Sequence, residues 1–431
     1  LRLFRASFFM LKNKGGKQME KNYDASSTVS NIQYNFNFEG AHKRIEQVLR
    51  PTNLIHSTFF SSYCSNNVYI KPENLQTTGA FKIRGAYNKI SKLNSEQKSQ
   101  GLISSSAGNH AQGVAYASKE LGVTATIVMP KTTPLIKVES TKKYGANIVL
   151  HGDCYDEAYE EAKRLESSEN MLFIHPFDDA DVIEGQGTIA IEILKEAPNL
   201  DVIIAPVGGG GLIAGVAACA KALNPNIKII GVEPEGANAM SLSMKNNKLT
   251  CLEKVCTIAD GVAVKNPGSL TYELIKTHVD EIVEVSDFEI MEAFLLLMQN
   301  HKLVGENSGV LPFAALRKIK EKNKNIACII SGGNIDFLTI SSLINQGLVS
   351  MGRIFCFSVN LPDKPGELAK ISNLLAKLGA NVIKLDHNQF KASNRFMDAM
   401  LEVTVETNGH NHVELIYEEM KALGYTIKRV Y

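Results

Sequence analysis

The sequence predicts an α/β protein built on a parallel sheet and followed by a smaller βαββαβ module. Three observations carry this. Short apolar runs rich in β-branched residues recur from about residue 65 onward, separated by helix-length segments. Beyond about residue 350 the pattern turns to strict apolar-polar alternation, as in strands with one buried face. The length of 431 residues also exceeds what one core usually holds, because single cores stop growing near about 250 to 300 residues.

In chain order, the first set of runs is NVYI, LISSS, TATIVM, NIVL, MLFI, DVIIA, KIIGV, EIVEV and IACIIS. Continuous apolar strands of this kind are buried on both faces, so helices cover both sides of the sheet and ligands collect at the carboxyl ends of the strands. In the second set, Phe355, Phe357, Val359 and Leu361 alternate with Cys356, Ser358 and Asn360. A helix follows with Leu368, Ile371, Leu375 and Leu378 on one side and Gly379 at its end. Then come NVIKLDH, the alternating Ala399, Leu401, Val403 and Val405, a helix carrying Val413, Ile416, Met420 and Leu423, and a closing TIKRV. That order is ferredoxin-like.

Composition narrows the function. The balance of 46 basic and 45 acidic residues leaves no global field to attract nucleic acid or an anionic membrane, so the expected partner is a small molecule. The seven cysteines are scattered, with no Cys-x-x-Cys pair, and read as reduced thiols of a cytoplasmic protein. No run approaches the roughly 18 to 20 apolar residues of a membrane span. Residues 1–28 start without methionine and are base-rich, which reads as an extension upstream of a start at Met10 or Met19, with a transit peptide as the alternative. They are kept out of the fold.

Three loops at strand ends carry chemistry. In DVIIAPVGGGGLIAGVA, the glycines Gly208 to Gly211 open a helix and let backbone N–H groups converge on a phosphate. The same stretch satisfies Gly-x-Gly-x-x-Ala through Gly209, Gly211 and Ala214, with Glu233 ending the next strand, so taken alone it serves a dinucleotide equally well. In LISSSAGNHAQGVAYA, Ser104 to Ser106, Gly108, Asn109 and His110 offer donors to a carboxylate; helix capping accounts for one such residue and not for the other five. In CIISGGNID, Ser331, Gly332, Gly333 and Asn334 end a buried strand. Most helical lysines are solvated surface charges, but Lys82 sits between Phe81 and Ile83 in the same α/β unit. A desolvated amine is a nucleophile toward aldehydes, and an amine beside a phosphate cradle points to pyridoxal 5′-phosphate (PLP). A nicotinamide cofactor has no need of that amine.

KPENLQTTGAFKIRGAYNKI, SSSAGNHAQGVA, MPKTTPLIKVESTKKYGANIVLHG, HPFDDADVIEGQGTIAIEI, PVGGGGLIAGVA, TIADGVAV and SGGNID together resemble the threonine ammonia-lyases (threonine dehydratases), members of the fold-type II, tryptophan synthase β-like PLP enzymes. The resemblance spans roughly residues 35 to 345. The tail, with LPDKPGEL, is similar to a single ACT domain, as in the shorter, catabolic-type members. The resemblance implies parallel sheets in two subdomains. It divides the chain into a catalytic domain over 29–345, with a small subdomain near 76–155 inserted in it, a linker over 346–352 and an ACT domain over 353–431.

The resemblance implies that Lys82 is the Schiff-base lysine and general base, and that Phe81 neighbours the cofactor ring. Asn109 then faces the ring hydroxyl, Gly208, Gly209, Gly210, Gly211 and Leu212 hold the phosphate, and Ser331 faces the pyridine nitrogen. Ser106 is implied as catalytic and, with Ala107, Gly108, Asn109 and His110, as the grip on the substrate carboxylate. The implied reaction turns L-threonine into 2-oxobutanoate and ammonia, with L-serine to pyruvate beside it. A neutral serine at position 331 cannot hold the pyridine nitrogen protonated as an aspartate would, which favours elimination over transamination. The alternative is a serine racemase or serine dehydratase of the same family. Racemases carry a second serine where Ala107 stands, and a divalent-metal site of which Glu233 matches one ligand and Ala239 does not, so no metal is expected. For the ACT module the resemblance implies an amino-acid or nucleotide effector at Asp363, Pro365 and Gly366, facing Asn381, and a homodimer or homotetramer.

Overall fold

The computed structural model describes residues 35–388 and 398–431; the expected extension over residues 1–28 lies outside them. Residues 36–431 form one unit with three sheets. Strands are β1 (Ile55–Ser57), β2 (Asn67–Pro72), β3 (Leu102–Ser105), β4 (Ala125–Met129), β5 (Asn147–Leu150), β6 (Leu172–Phe173), β7 (Val202–Pro206), β8 (Lys228–Pro234), β9 (Glu281–Val285), β10 (Asn325–Ile330), β11 (Ile354–Pro362), β12 (Asn381–Asn388), β13 (Asp398–Glu406) and β14 (Ile427–Arg429).

All nine apolar runs are strands, and they divide between two sheets, as the resemblance implies. The larger runs β1-β2-β10-β7-β8-β9, parallel except for the short antiparallel edge pair β1–β2. The smaller is β5-β4-β3-β6 and wholly parallel. Its fourth strand, β6, comes after residue 155 in the chain. Two apolar clusters pack on the larger sheet, one gathered around Phe60, Phe294 and Phe313, the other around the helices Ala180–Glu196 and Gly211–Leu223. The smaller sheet has its own pair of clusters. β7 and β10 are buried along nearly their whole length, which is why they read as unbroken apolar runs rather than alternating ones.

The third sheet, β12-β13-β11-β14, is antiparallel throughout and carries two helices, Glu367–Lys377 and His410–Ala422. Phe355, Phe357, Val359 and Leu361 are all buried against them. The expected linker over 346–352 opens in helix, because Phe337–Ser350 runs on through it and buries Leu343 and Gly347 against the larger sheet's core.

Candidate active site

Loops from the carboxyl ends of β3, β7 and β10 meet around one cavity of about 570 Å³, lined by Phe81, Lys82, Ser106–His110, Gly208–Leu212 and Ser331 among others. Every cofactor and substrate residue expected from the sequence therefore borders one space. The strand ends deliver them because parallel strands point all their carboxyl termini the same way.

Lys82 opens the helix Lys82–Ser91, and two contacts fix where it starts. The Phe81 N–H donates to the Ser331 carbonyl at 3.0 Å, and Ala80 bridges to Gly332. This ties the lysine to the β10 loop. Two residues further on, Arg84 is fully buried and makes paired bonds to Glu73, at 2.7 and 2.8 Å, and to Glu192, at 2.6 and 2.8 Å. Buried Lys71 adds a 2.6 Å bond to Glu192. Against the penalty of burial, Arg84 and Lys71 hold the Glu192 carboxyl down to about 2. The cluster bolts the lysine helix to β2 and to the helix Ala180–Glu196.

The Lys82 ammonium donates to the Pro176 carbonyl at 2.6 Å and lies 5.3 Å from the centre of the Phe81 ring. Burial pushes its pKa down to about 8, with Glu306 opposing. At neutral pH the neutral amine fraction rises from about 1 in 3,000 for an ordinary lysine to about 1 in 10.

Two helices begin at the cavity without any side-chain cap, Asn109–Glu120 behind Gly108 and Gly211–Leu223 behind Gly210. Their first N–H groups and positive dipole ends are left for anions. Neither Ser106 nor Asn109 caps, so the bland account of the serine loop fails; the Ser106 hydroxyl accepts from the Gly108 N–H at 3.3 Å instead. At Gly210 a φ of +94° excludes ordinary side chains. At Gly209 a Cβ would stand 2.4 Å from the Phe177 ring. The backbone is thus the lining.

His110 borders the cavity, but its imidazole is engaged elsewhere. Its Nε2 lies 3.0 Å from the Ile174 carbonyl and must be the protonated nitrogen, since a carbonyl only accepts. Burial, with the Lys82 charge, pushes its pKa down to about 3. Nδ1 is then a lone pair with no partner among the described residues, and it would repel a carboxylate. Only the backbone N–H of His110 suits the carboxylate grip. The buried Ser105 hydroxyl also borders the cavity without a partner among the described residues.

Glu233 ends β8 but does not line the cavity. It is buried and accepts from the backbone N–H groups of Met240 and Ser241 at 3.1 and 2.7 Å, so no oxygen is aimed at a ribose and the dinucleotide reading loses its partner. Among the described residues no cluster of three or more His, Cys, Asp or Glu side chains is arranged to hold a metal.

In the ACT-like module Asp363, Pro365 and Gly366 form the turn after β11, where Gly366 has a φ of +95° and precedes the helix Glu367–Lys377. Asn381 does not face them in this chain. Register pairs Asn381 with Glu406, and Glu406 with Ile354, at the opposite end of β11 from Pro362. At about 3.3 Å per strand residue the two ends are about 26 Å apart.

Sequence reasoning missed Glu306. It follows Gly305, is nearly buried, and accepts from Asn109 Nδ2 at 2.6 Å and from the Ser308 hydroxyl at 2.9 Å. An acid flanked by glycine and followed by the apolar run VLPF was the available signal.

A desolvated amine, two uncapped helix N termini and orphaned buried polar atoms on one cavity fit PLP. Comparison with known proteins agrees. The model of the pyridoxal-phosphate dependent enzyme family matches residues 45–332, and that of the ACT domain residues 357–425. The chain is 44% identical over 391 residues to an L-threonine ammonia-lyase of Thermotoga maritima, covering 90% of this chain and 98% of that protein. It is 47% identical over 316 residues to a catabolic L-threonine dehydratase of Staphylococcus aureus, covering 72% and 91%. Among solved structures it is similar to maize serine racemase, with a TM-score of 0.69 and 36% identity over 73% of this chain and 97% of that one.

Proposed function

Because the chain belongs to the pyridoxal-phosphate dependent enzyme family, we propose that its cavity converts L-threonine to 2-oxobutanoate and ammonia, with L-serine to pyruvate as a side activity. The activity is that of a threonine ammonia-lyase, and the cofactor is PLP. The observation that carries the reading is a lysine of lowered pKa lining the same cavity as two uncapped helix N termini.

Gly208 to Gly211 and the helix start at Leu212 would hold the cofactor phosphate, Phe81 would pack by its ring, Asn109 would donate to the ring hydroxyl, and Ser331 would meet the pyridine nitrogen. When bound, PLP supplies an aldehyde that captures the substrate amine and a ring that draws electron density from the substrate Cα. Ser106 and the backbone N–H groups at the start of the helix Asn109–Glu120 take the substrate carboxylate. Lys82 Nζ removes the Cα proton, a role its lowered pKa suits at neutral pH. On the other face Ala107 has no proton to give, so elimination outruns racemisation. Lys137, on the helix Leu135–Lys142, pairs with Asp260 at 3.0 Å beside the cavity and helps to screen it from water.

The ACT module is the seat of regulation in this reading, with an amino acid or nucleotide as effector and the chain divided near residues 346–352. Product analysis tests the activity: L-threonine should yield 2-oxobutanoate with no D-allothreonine, the product of inversion at Cα, and Ala107→Ser should add measurable inversion there. D-amino acid as the main wild-type product would replace the lyase reading with the racemase one.

A further inference from the structure

Asn109 does not stand alone. Its carboxamide is held at both ends: Asn334 Nδ2 donates to Oδ1 at 2.8 Å, and Nδ2 donates to Glu306 Oε1 at 2.6 Å. Glu306 is itself fixed, by the Ser308 hydroxyl at 2.9 Å and by its backbone N–H to the Gly332 carbonyl at 2.9 Å. Gly332 has no room for a side chain, since a Cβ there would lie 2.6 Å from Glu306 Oε1 and 3.0 Å from Asn109 Nδ2. Glycine at 332 thus lets the carboxylate and the carboxamide meet. An amide nitrogen has two protons, and Glu306 uses one.

Resting on the PLP lyase reading, we propose that Glu306 is a positioning residue that locks the Asn109 carboxamide with Oδ1 turned away and one Nδ2 proton free for the cofactor's ring hydroxyl. An asparagine amide can flip by half a turn at little cost when nothing distinguishes its ends. Glu306 and Asn334 distinguish them. A carboxylate acceptor at Nδ2 and an N–H donor at Oδ1 forbid the flipped form, which would set oxygen against oxygen and N–H against N–H. The ionised and titratable groups around Glu306 are Asp260 and Lys137 toward the mouth and Lys82 across the cavity. Burial and Asp260 raise its pKa to about 7 against the donors Ser308 and Asn109, so orientation must be separated from charge in any test.

Glutamine at 306 separates them, because its amide oxygen can accept from both Asn109 and Ser308 with no charge. The experiment is titration of cofactor-free protein with PLP, read as the visible absorbance band, for wild type, Glu306→Ala, Glu306→Gln, Asn109→Ala and the double variant with alanine at both positions. Glu306→Ala should bind PLP about tenfold more weakly and shift the band in the same direction as Asn109→Ala. The double variant should match Asn109→Ala alone, and Glu306→Gln should recover the wild-type band. Additive effects of the two alanines, or an unshifted band in Glu306→Ala, would overturn the proposal; if Glu306→Ala does not fold, a Glu306→Gln band displaced as far as that of Asn109→Ala overturns it equally. A wild-type protein that develops no band with PLP overturns the lyase reading and this inference with it, an outcome distinct from both.

Discussion

Burying the Lys82 ammonium costs the folded protein stability. The ammonium is favoured in the unfolded chain, where the ordinary value of 10.5 applies, over the folded one, where burial brings it to about 8. Below about pH 8 both states are protonated and the penalty is full; between about 8 and 10.5 the folded lysine is neutral first, the unfolded chain binds more protons, and stability recovers as pH rises. Cofactor-free Lys82→Ala should therefore be more stable than wild type at pH 7.5, with the gap in urea midpoint narrowing by pH 9.5. A gap independent of pH would show that Lys82 is not desolvated. At this scale the sequence was legible where a charge stood among apolar neighbours, as at Lys82. At Glu306 it held only a weak signal, an acid after a glycine, because the partners Asn109, Ser308 and Gly332 come from three separate loops.

The element that matters most is the helix Lys82–Ser91, and what aims it is the buried cluster of Arg84, Glu73, Glu192 and Lys71. Removing one partner from a buried ion cluster strands the others, at a cost of about 3 to 5 kcal/mol. Arg84→Ala should lose stability on that order in denaturant unfolding, and Arg84→Lys should recover little, because an ammonium cannot make the paired bonds to both carboxylates. Retention of wild-type stability in Arg84→Ala would mean the cluster is not what seats the helix. Strand identity was readable, since β2 through β10 are continuous β-branched runs. Which sheet each strand joins was not, because a strand buried on both faces has the same composition in either sheet. β1 escaped notice because three residues, Ile55 to Ser57, are too few to set a period.

At the scale of the molecule, the change from continuous to alternating apolar pattern after residue 350 marked a second architecture, and the antiparallel sheet carries it. The placing of Asn381 opposite the turn at Asp363 to Gly366 failed because register, unlike strand identity, follows from pairing across the sheet. The helix Phe337–Ser350 belongs with the core on the larger sheet, where Gly347 packs so tightly that a Cβ would lie 2.2 Å from Leu295. A chain ending at Met351 should keep lyase turnover within about threefold of the full chain and lose its response to amino-acid or nucleotide effectors, as surface truncations that spare a core do. Loss of turnover would show instead that the two parts fold as one.

The measurement that tests the central claim most directly is the visible absorbance of the purified protein before and after L-threonine, with 2-oxobutanoate assayed in the same cuvette, for wild type and Lys82→Ala. A wild-type visible band that responds to threonine while 2-oxobutanoate accumulates, with turnover lower by at least about 10³-fold in Lys82→Ala, is the predicted result. A colourless wild type, or a variant that turns over threonine as fast as wild type, would contradict it.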